Sequence, residues 1–173
     1  MTPLSLLASG VLGMALALGN PSSSPYTLSR FNTAQTLPPF QLRTLQGTSI
    51  HSNELKGRVF ILNFWATWCG PCKEEMPSLE RLRQKFPPDQ LAILAVTTDI
   101  PPREIKIFWQ KLNLHFDVLL DEQEELSQAL MVRNLPTTVI VDTHGHLSQR
   151  IMGPREWDSP ESLAYIHNLL NPK

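Results

Sequence analysis

From residue 40 onward the chain switches between two hydrophobic periods, and each switch marks an element. Phe40-Gln41-Leu42-Arg43-Thr44-Leu45 alternates apolar and polar, as a half-buried strand does. Gln46-Gly47 turns and Thr48-Ser49-Ile50 returns, which predicts a β-hairpin. Ser52 to Leu55 reads as one helical turn stopped by Gly57. Val59 to Trp65 is almost continuously apolar, the pattern of a central strand covered on both faces. A helical period follows. Met76, Leu79, Leu82 and Phe86 fall on one face of a helix that opens at Gly70-Pro71. A kink is expected at Pro77, and Pro87-Pro88 ends the helix.

Leu91 to Thr97 is a second buried strand, and Ile105, Phe108, Trp109 and Leu112 line a second helix. Phe116 to Leu120 is a short strand and Glu122 to Leu130 a third helix. Thr137 to Val141 and Leu147 to Ile151 form a hairpin turning at Thr143-His144-Gly145. Ser159-Pro160-Glu161 caps a last helix that buries Leu163, Ile166 and Leu170. Strands that alternate with helices imply parallel pairs, and the final hairpin adds antiparallel ones. The fold class is therefore α/β: a mixed central sheet flanked by helices, with an N-terminal β-hairpin.

The first 38 residues follow neither period and carry one charge, Arg30. Leu4 to Leu18 is apolar or small, and Gly19-Asn20-Pro21-Ser22-Ser23-Ser24-Pro25 interrupts it. That length suits a secretory leader and is short for a membrane span, although no Lys or Arg precedes it. Residues 1–19 are thus a signal peptide or an N-terminal membrane anchor, 20–37 a Pro/Ser/Thr linker, and 38–173 the domain. The formal net charge is −1 and the basic residues form no run, which excludes an electrostatic nucleic-acid footprint.

The chemistry concentrates in Trp68-Cys69-Gly70-Pro71-Cys72-Lys73, which holds both cysteines of the chain directly after the apolar strand. A Cys-x-x-Cys between a strand and a helix is the layout of a dithiol redox centre. Both thiols lie in one turn and can close a disulfide on each other. A structural zinc site would need four Cys or His ligands, and the five histidines are scattered. A structural disulfide closing so short a loop removes little entropy from the unfolded chain. No metal and no cofactor are expected.

With Phe64-Trp65-Ala66-Thr67-Trp68-Cys69-Gly70-Pro71-Cys72-Lys73, Pro77 and Leu135-Pro136-Thr137-Thr138 in place, the chain resembles a thioredoxin-fold protein. More narrowly, it is similar to extracytoplasmic thiol-disulfide oxidoreductases of the TlpA/ResA type. Leu55-Lys56-Gly57-Arg58 before the strand, a strand-helix insert at about residues 116–130, and Glu75 three residues after Cys72 carry that narrower likeness. The resemblance implies a redox-active pair Cys69–Cys72, a cis-proline at Pro136 and an active-site carboxylate at Glu75. Thioredoxin itself has a buried aspartate where this chain has Asn63, so Glu75 is expected to take the proton-transfer duty. The competing reading leaves Glu75 a solvated helix carboxylate beside Glu74.

Cys69 falls where the first helical N–H groups are unpaired and the helix dipole is positive, which favours its thiolate. Cys69 is therefore expected to be exposed and to attack, with Cys72 deeper and resolving the mixed disulfide. No histidine lies between the cysteines to stabilise a very acidic thiolate, which favours a reductant. Trp68, Leu135 and Pro136 are the candidate substrate-binding residues; Trp68 reads equally as packing. The expected partners are protein dithiols or disulfides, such as apocytochrome c, and a membrane dithiol that donates electrons; a monomer is expected. A copper carrier using the two thiols and a disulfide-donating oxidase are the alternatives. A peroxidase would have Thr where this chain has Ala66.

Overall fold

The strict alternation of Val59-Phe60-Ile61-Leu62-Asn63-Phe64 between two buried faces organises the molecule. The computed structural model describes residues 27–31, 35–99 and 102–172. Its strands are β1 (Thr27–Arg30), β2 (Gln41–Thr44), β3 (Ser49–His51), β4 (Val59–Phe64), β5 (Leu91–Thr97), β6 (Asp117–Leu120), β7 (Thr137–Val141) and β8 (Leu147–Met152). Its helices are α1 (Gly70–Arg83), α2 (Pro102–Lys111), α3 (Glu125–Ala129) and α4 (Pro160–Leu170), with a 3₁₀ turn at Ser52–Leu55. The strands form one sheet in the order β1-β8-β7-β4-β5-β6-β2-β3. β4, β5 and β6 are mutually parallel, and the other pairs are antiparallel.

Two cores follow from the alternation. Val59 and Ile61 pack with Met76, Leu79 and Leu82 of α1, Ile105 and Trp109 of α2, and Ile166 of α4. Phe60, Leu62 and Phe64 face the other way, onto Leu55 of the 3₁₀ turn and Leu126 and Leu130 around α3. Helices therefore cover both faces, as the mixed pattern predicts. Because side chains alternate along a strand, Asn63 falls on the α1 face.

Three expectations change. Residues 20–37 are expected as linker, yet Thr27–Arg30 is strand β1, paired antiparallel with β8 from Thr27↔Met152 to Arg30↔Gln149. Its four side chains are all exposed, so it carries no hydrophobic period, and only the backbone ladder defines it. Helix α3 covers five residues instead of Glu122 to Leu130. The Asp121 carboxylate accepts from the backbone N–H of Leu126 at 3.2 Å and of Ser127 at 2.8 Å, and Glu124 has φ 57°, so the chain cannot be helical earlier. Helix α1 ends at Arg83, before the two prolines. Residues 1–19, expected as leader, lie outside the described residues.

Candidate active site

Strand β4 ends at Phe64, and the five residues that follow bring the chain to the start of α1. Cys69 is the N-cap of α1, with Pro71 in the first turn. Cys69 and Cys72 form a disulfide with an S–S distance of 2.03 Å. The Cys72 N–H donates to Cys69 Sγ at 3.3 Å, so an otherwise unpaired donor of the helix terminus points at this sulfur. The same N–H and the helix dipole lower the energy of a Cys69 thiolate once the bond opens. Cys69 is expected to be exposed, but its relative exposure is 5%, against 0% for Cys72. The order of accessibility holds while its size does not. With the disulfide closed, both cysteines belong to the core cluster that contains Trp65 and Ala66.

The two tryptophans of the motif part company. Trp65 is buried, stacked on Phe108 with ring centroids 5.5 Å apart and close to Trp109 at 5.0 Å. Trp68, immediately before Cys69, is 75% exposed. Between them, the Thr67 N–H donates to the Asp99 carboxylate just beyond β5, while the Asp99 N–H donates to Thr97 Oγ1 at 3.1 Å. Asp99 thus pins the loop that presents Trp68.

Glu75 is one helical turn beyond Cys72, so both lie on the same side of α1. It is 3% exposed, which rules out the solvated-carboxylate reading. Asn63 Nδ2 donates to Glu75 Oε1 at 2.8 Å, and the Trp157 indole Nε1–H donates to Oε2 at 2.9 Å. The backbone N–H of Arg155 donates to Oε2 at 3.2 Å. Burial pushes the Glu75 carboxyl up to about 7, and the hydrogen bonds from Trp157, Asn63 and the Arg155 backbone restrain the rise. Near neutral pH this group is therefore present in both protonation states. Asn63 also donates to Thr138 Oγ1 at 2.9 Å, across the Asn63↔Thr138 pair of β4 and β7, so a polar thread links Glu75 to both strands. Asn63 Oδ1 is buried without a partner.

The Leu135–Pro136 peptide is cis. Pro136 is buried and Leu135 half-buried, directly before β7, whose Thr137 pairs with Phe64 at the end of β4. The Leu135-Pro136 corner therefore shares the sheet end that carries the motif.

The residues missed by the sequence are Trp157, Arg155 and Asp99. Trp157 and Arg155 lie in the loop between β8 and α4, at positions with no periodic signal. Asp99 follows the end of β5, where an acidic residue is ordinary. Among the described residues, no group of three or more His, Cys, Asp or Glu is placed to hold a metal ion.

A helix-capping disulfide with a buried carboxylate one helical turn further along, on a mixed sheet with a cis-proline corner, defines a dithiol–disulfide exchange protein of the thioredoxin fold. The chain belongs to the AhpC/TSA family, which its residues 33–150 match, and within it to the ResA-type thiol-disulfide oxidoreductases. It is 35% identical to "Thiol-disulfide oxidoreductase ResA" of Geobacillus kaustophilus over 118 residues, covering 68% of each chain. It is 32% identical to the protein of that name in Bacillus cereus over 148 residues, covering 86% of this chain and 83% of the other. Among solved structures it is similar to StoA from Bacillus subtilis, with TM-score 0.64 and 25% identity over 76% of this chain and 97% of the other. A thioredoxin-family thiol:disulfide interchange protein from Chlorobium tepidum has TM-score 0.67 at 23% identity over 76% of this chain and 95% of that one, a likeness of fold. The protein is a thiol-disulfide oxidoreductase.

Proposed function

We propose that the protein is an extracytoplasmic reductant of protein disulfides, exported by residues 4–18 or held by them at the outer face of a membrane. Cys69 is the attacking thiolate and Cys72 resolves the mixed disulfide. Glu75 accepts and returns the proton of the buried Cys72 thiol, directly or through one water. Trp68, Leu135 and Pro136 form the rim on which an extended partner segment lies. The substrate is a protein disulfide, with the paired cysteines of an apocytochrome c the leading candidate. A membrane dithiol recharges the pair.

The observation that carries this reading is Glu75: a carboxyl held near a pKa of about 7 one turn from the resolving cysteine. A group poised at the working pH moves protons in both half-reactions without a large energetic penalty in either. The Gly70-Pro71 spacer, with no cation or histidine, sets the direction toward reduction.

The reduction potential tests the direction. A value near that of thioredoxin, about −270 mV, is expected. A value above about −180 mV would make the protein a disulfide donor. Substrate identity follows from trapping: Cys72→Ser in the native compartment should accumulate mixed disulfides through Cys69, and apocytochrome c among them supports the named candidate.

A further inference from the structure

One segment of the loop after β8 stitches the cis-proline corner to the redox helix. The Gly153 N–H donates to Pro136 O at 2.9 Å, the Arg155 N–H to Glu75 Oε2 at 3.2 Å, and the Trp157 N–H to Ser78 Oγ at 3.0 Å. The Arg155 side chain stays with this segment and is only 5% exposed. Its guanidinium lies over the Trp157 ring, 5.5 Å from the centroid, and the same indole donates to Glu75 Oε2 at 2.9 Å. The guanidinium also meets Glu161 Oε2 of α4 at 3.2 Å, and the Glu161 side chain is 67% exposed. Glu161, Arg155, Trp157 and Glu75 therefore form a continuous chain from the surface to the buried carboxyl.

Stability does not account for a cation at this place. Burying a guanidinium is costly, and a pair whose acid is exposed contributes little in return. A methionine would cover the indole as well. What an apolar side chain cannot supply is a positive field, which acts strongly on a carboxyl in a poorly solvated region. Around Glu75, β4 presents Asn63 and the loop presents Trp157, both neutral, while Cys72 of its own helix is held in the disulfide. Arg155 is the charged side chain that acts on it. Around Arg155 stand Glu161 and Tyr165 of α4 and Arg30 of β1, which line with it one hollow of about 380 Å³. The other acids of the loop, Glu156 and Asp158, are engaged by Arg81.

We propose that Arg155 and Glu161 are positioning residues of the exchange reaction, a charge pair that sets the pH at which the buried Glu75 carboxyl passes its proton. Arg155 favours the ionised carboxylate. Glu161, the like charge at the outer end of the chain, opposes that pull and moderates it. Neutralising Glu161 at the surface therefore reaches the redox centre without touching it. This inference rests on Glu75 being the proton-transfer group of the function proposed above.

The test takes two readouts on the full chain. One is the pH midpoint of the Glu75 carboxyl in the oxidised protein, followed by its carbon resonance and assigned by its loss in Glu75→Gln. The other is the pH profile for reduction of a synthetic peptide that holds one disulfide. Arg155→Met keeps the backbone N–H and the cover on the indole, and should raise the midpoint by at least about half a pH unit. Arg155→Lys keeps the charge and should restore most of that shift. Glu161→Gln should lower the midpoint by about 0.3 pH unit, less because its side chain is solvated. The step in the reduction profile should move with the midpoint in each variant. A merely loosened loop would let water reach Glu75 and shift both variants down toward the ordinary carboxyl value. A downward shift in Arg155→Met, or an unmoved midpoint in either variant, would thus overturn the inference. Midpoints that move as expected, beside a reduction profile with no step for Glu75→Gln to remove, would overturn the proton-transfer reading of Glu75 and the role of the pair with it.

Discussion

Trp157 and Glu75 stand 82 residues apart in sequence and are joined by one hydrogen bond, from the indole Nε1–H to Oε2 at 2.9 Å. This bond fixes the loop after β8 to the redox helix. Ser78 strengthens the same junction: its Oγ donates to Glu75 O at 2.8 Å and accepts from the Trp157 N–H at 3.0 Å. The Arg155 guanidinium, 5% exposed and paired with Glu161 at 3.2 Å, is the nearby cation that also favours the ionised carboxylate. The carboxylate is thus surrounded by donors yet sealed from water, and its properties supply the first two predictions.

Glu75→Gln removes a titration. In the oxidised protein the carboxyl is raised from 4.5 to about 7, so between these pH values the folded state holds a proton that the unfolded chain has released. Stability is therefore fully present below the unfolded value and falls as pH rises through about 7, by about 3 kcal/mol in all. Urea unfolding at pH 5 and pH 8 should show most of this difference in the native protein and lose it in the variant. The pH profile of thiol reactivity should lose its step near 7 as well.

Trp157→Phe deletes a donor and keeps the burial. The Glu75 pKa should move further above its present value of about 7, because the indole bond is one of the forces restraining it. The variant should lose about 1 kcal/mol more stability at pH 8 than at pH 5, since one titrating group changes stability by at most about 1.4 kcal/mol per pH unit. The smaller ring also leaves a void, but that loss is the same at both pH values and cancels in the comparison.

Alkylation of the reduced protein should label Cys69 at least about tenfold faster than Cys72, since reactivity follows thiolate content and access. The helix-terminal N–H at Cys69 Sγ and the complete burial of Cys72 both point this way. Mass spectrometry of the partially labelled protein gives the ratio, and equal labelling would reverse the assignment of attacking and resolving sulfurs.

Asp99→Ala should loosen the loop before the motif. Removing the acceptor leaves the Thr67 N–H unpaired in a part-buried site, at a cost of about 1–2 kcal/mol. Amide exchange at Thr67 should quicken, and exchange with protein disulfides should slow more than exchange with small thiols, because Trp68 is held by this loop. Asp99→Asn keeps an acceptor oxygen and should restore most of both.

The amino-acid sequence by itself determined the local elements and the reacting atoms. The nearly continuous apolar run from Val59 to Trp65 reads as a central strand, and two cysteines in one turn can close on each other. Periodicity is a property of neighbours, so β4, α1, β5, α2 and the β7–β8 hairpin are all legible from it. Glu75 is a candidate through the family resemblance, which its place three residues after Cys72 helps to carry, but its burial is not legible there. Whether a helix carboxylate faces water or protein depends on what packs over it, and here that is Trp157 and Arg155 from a loop without any pattern. Strand β1 escaped for a related reason: its side chains are all exposed, and its only signature is a backbone ladder to β8. The same holds for Asp99, which matters through one N–H of a loop 32 residues earlier. Hydrogen bonds between distant segments leave no periodic trace in either segment, so only the tertiary structure could decide them.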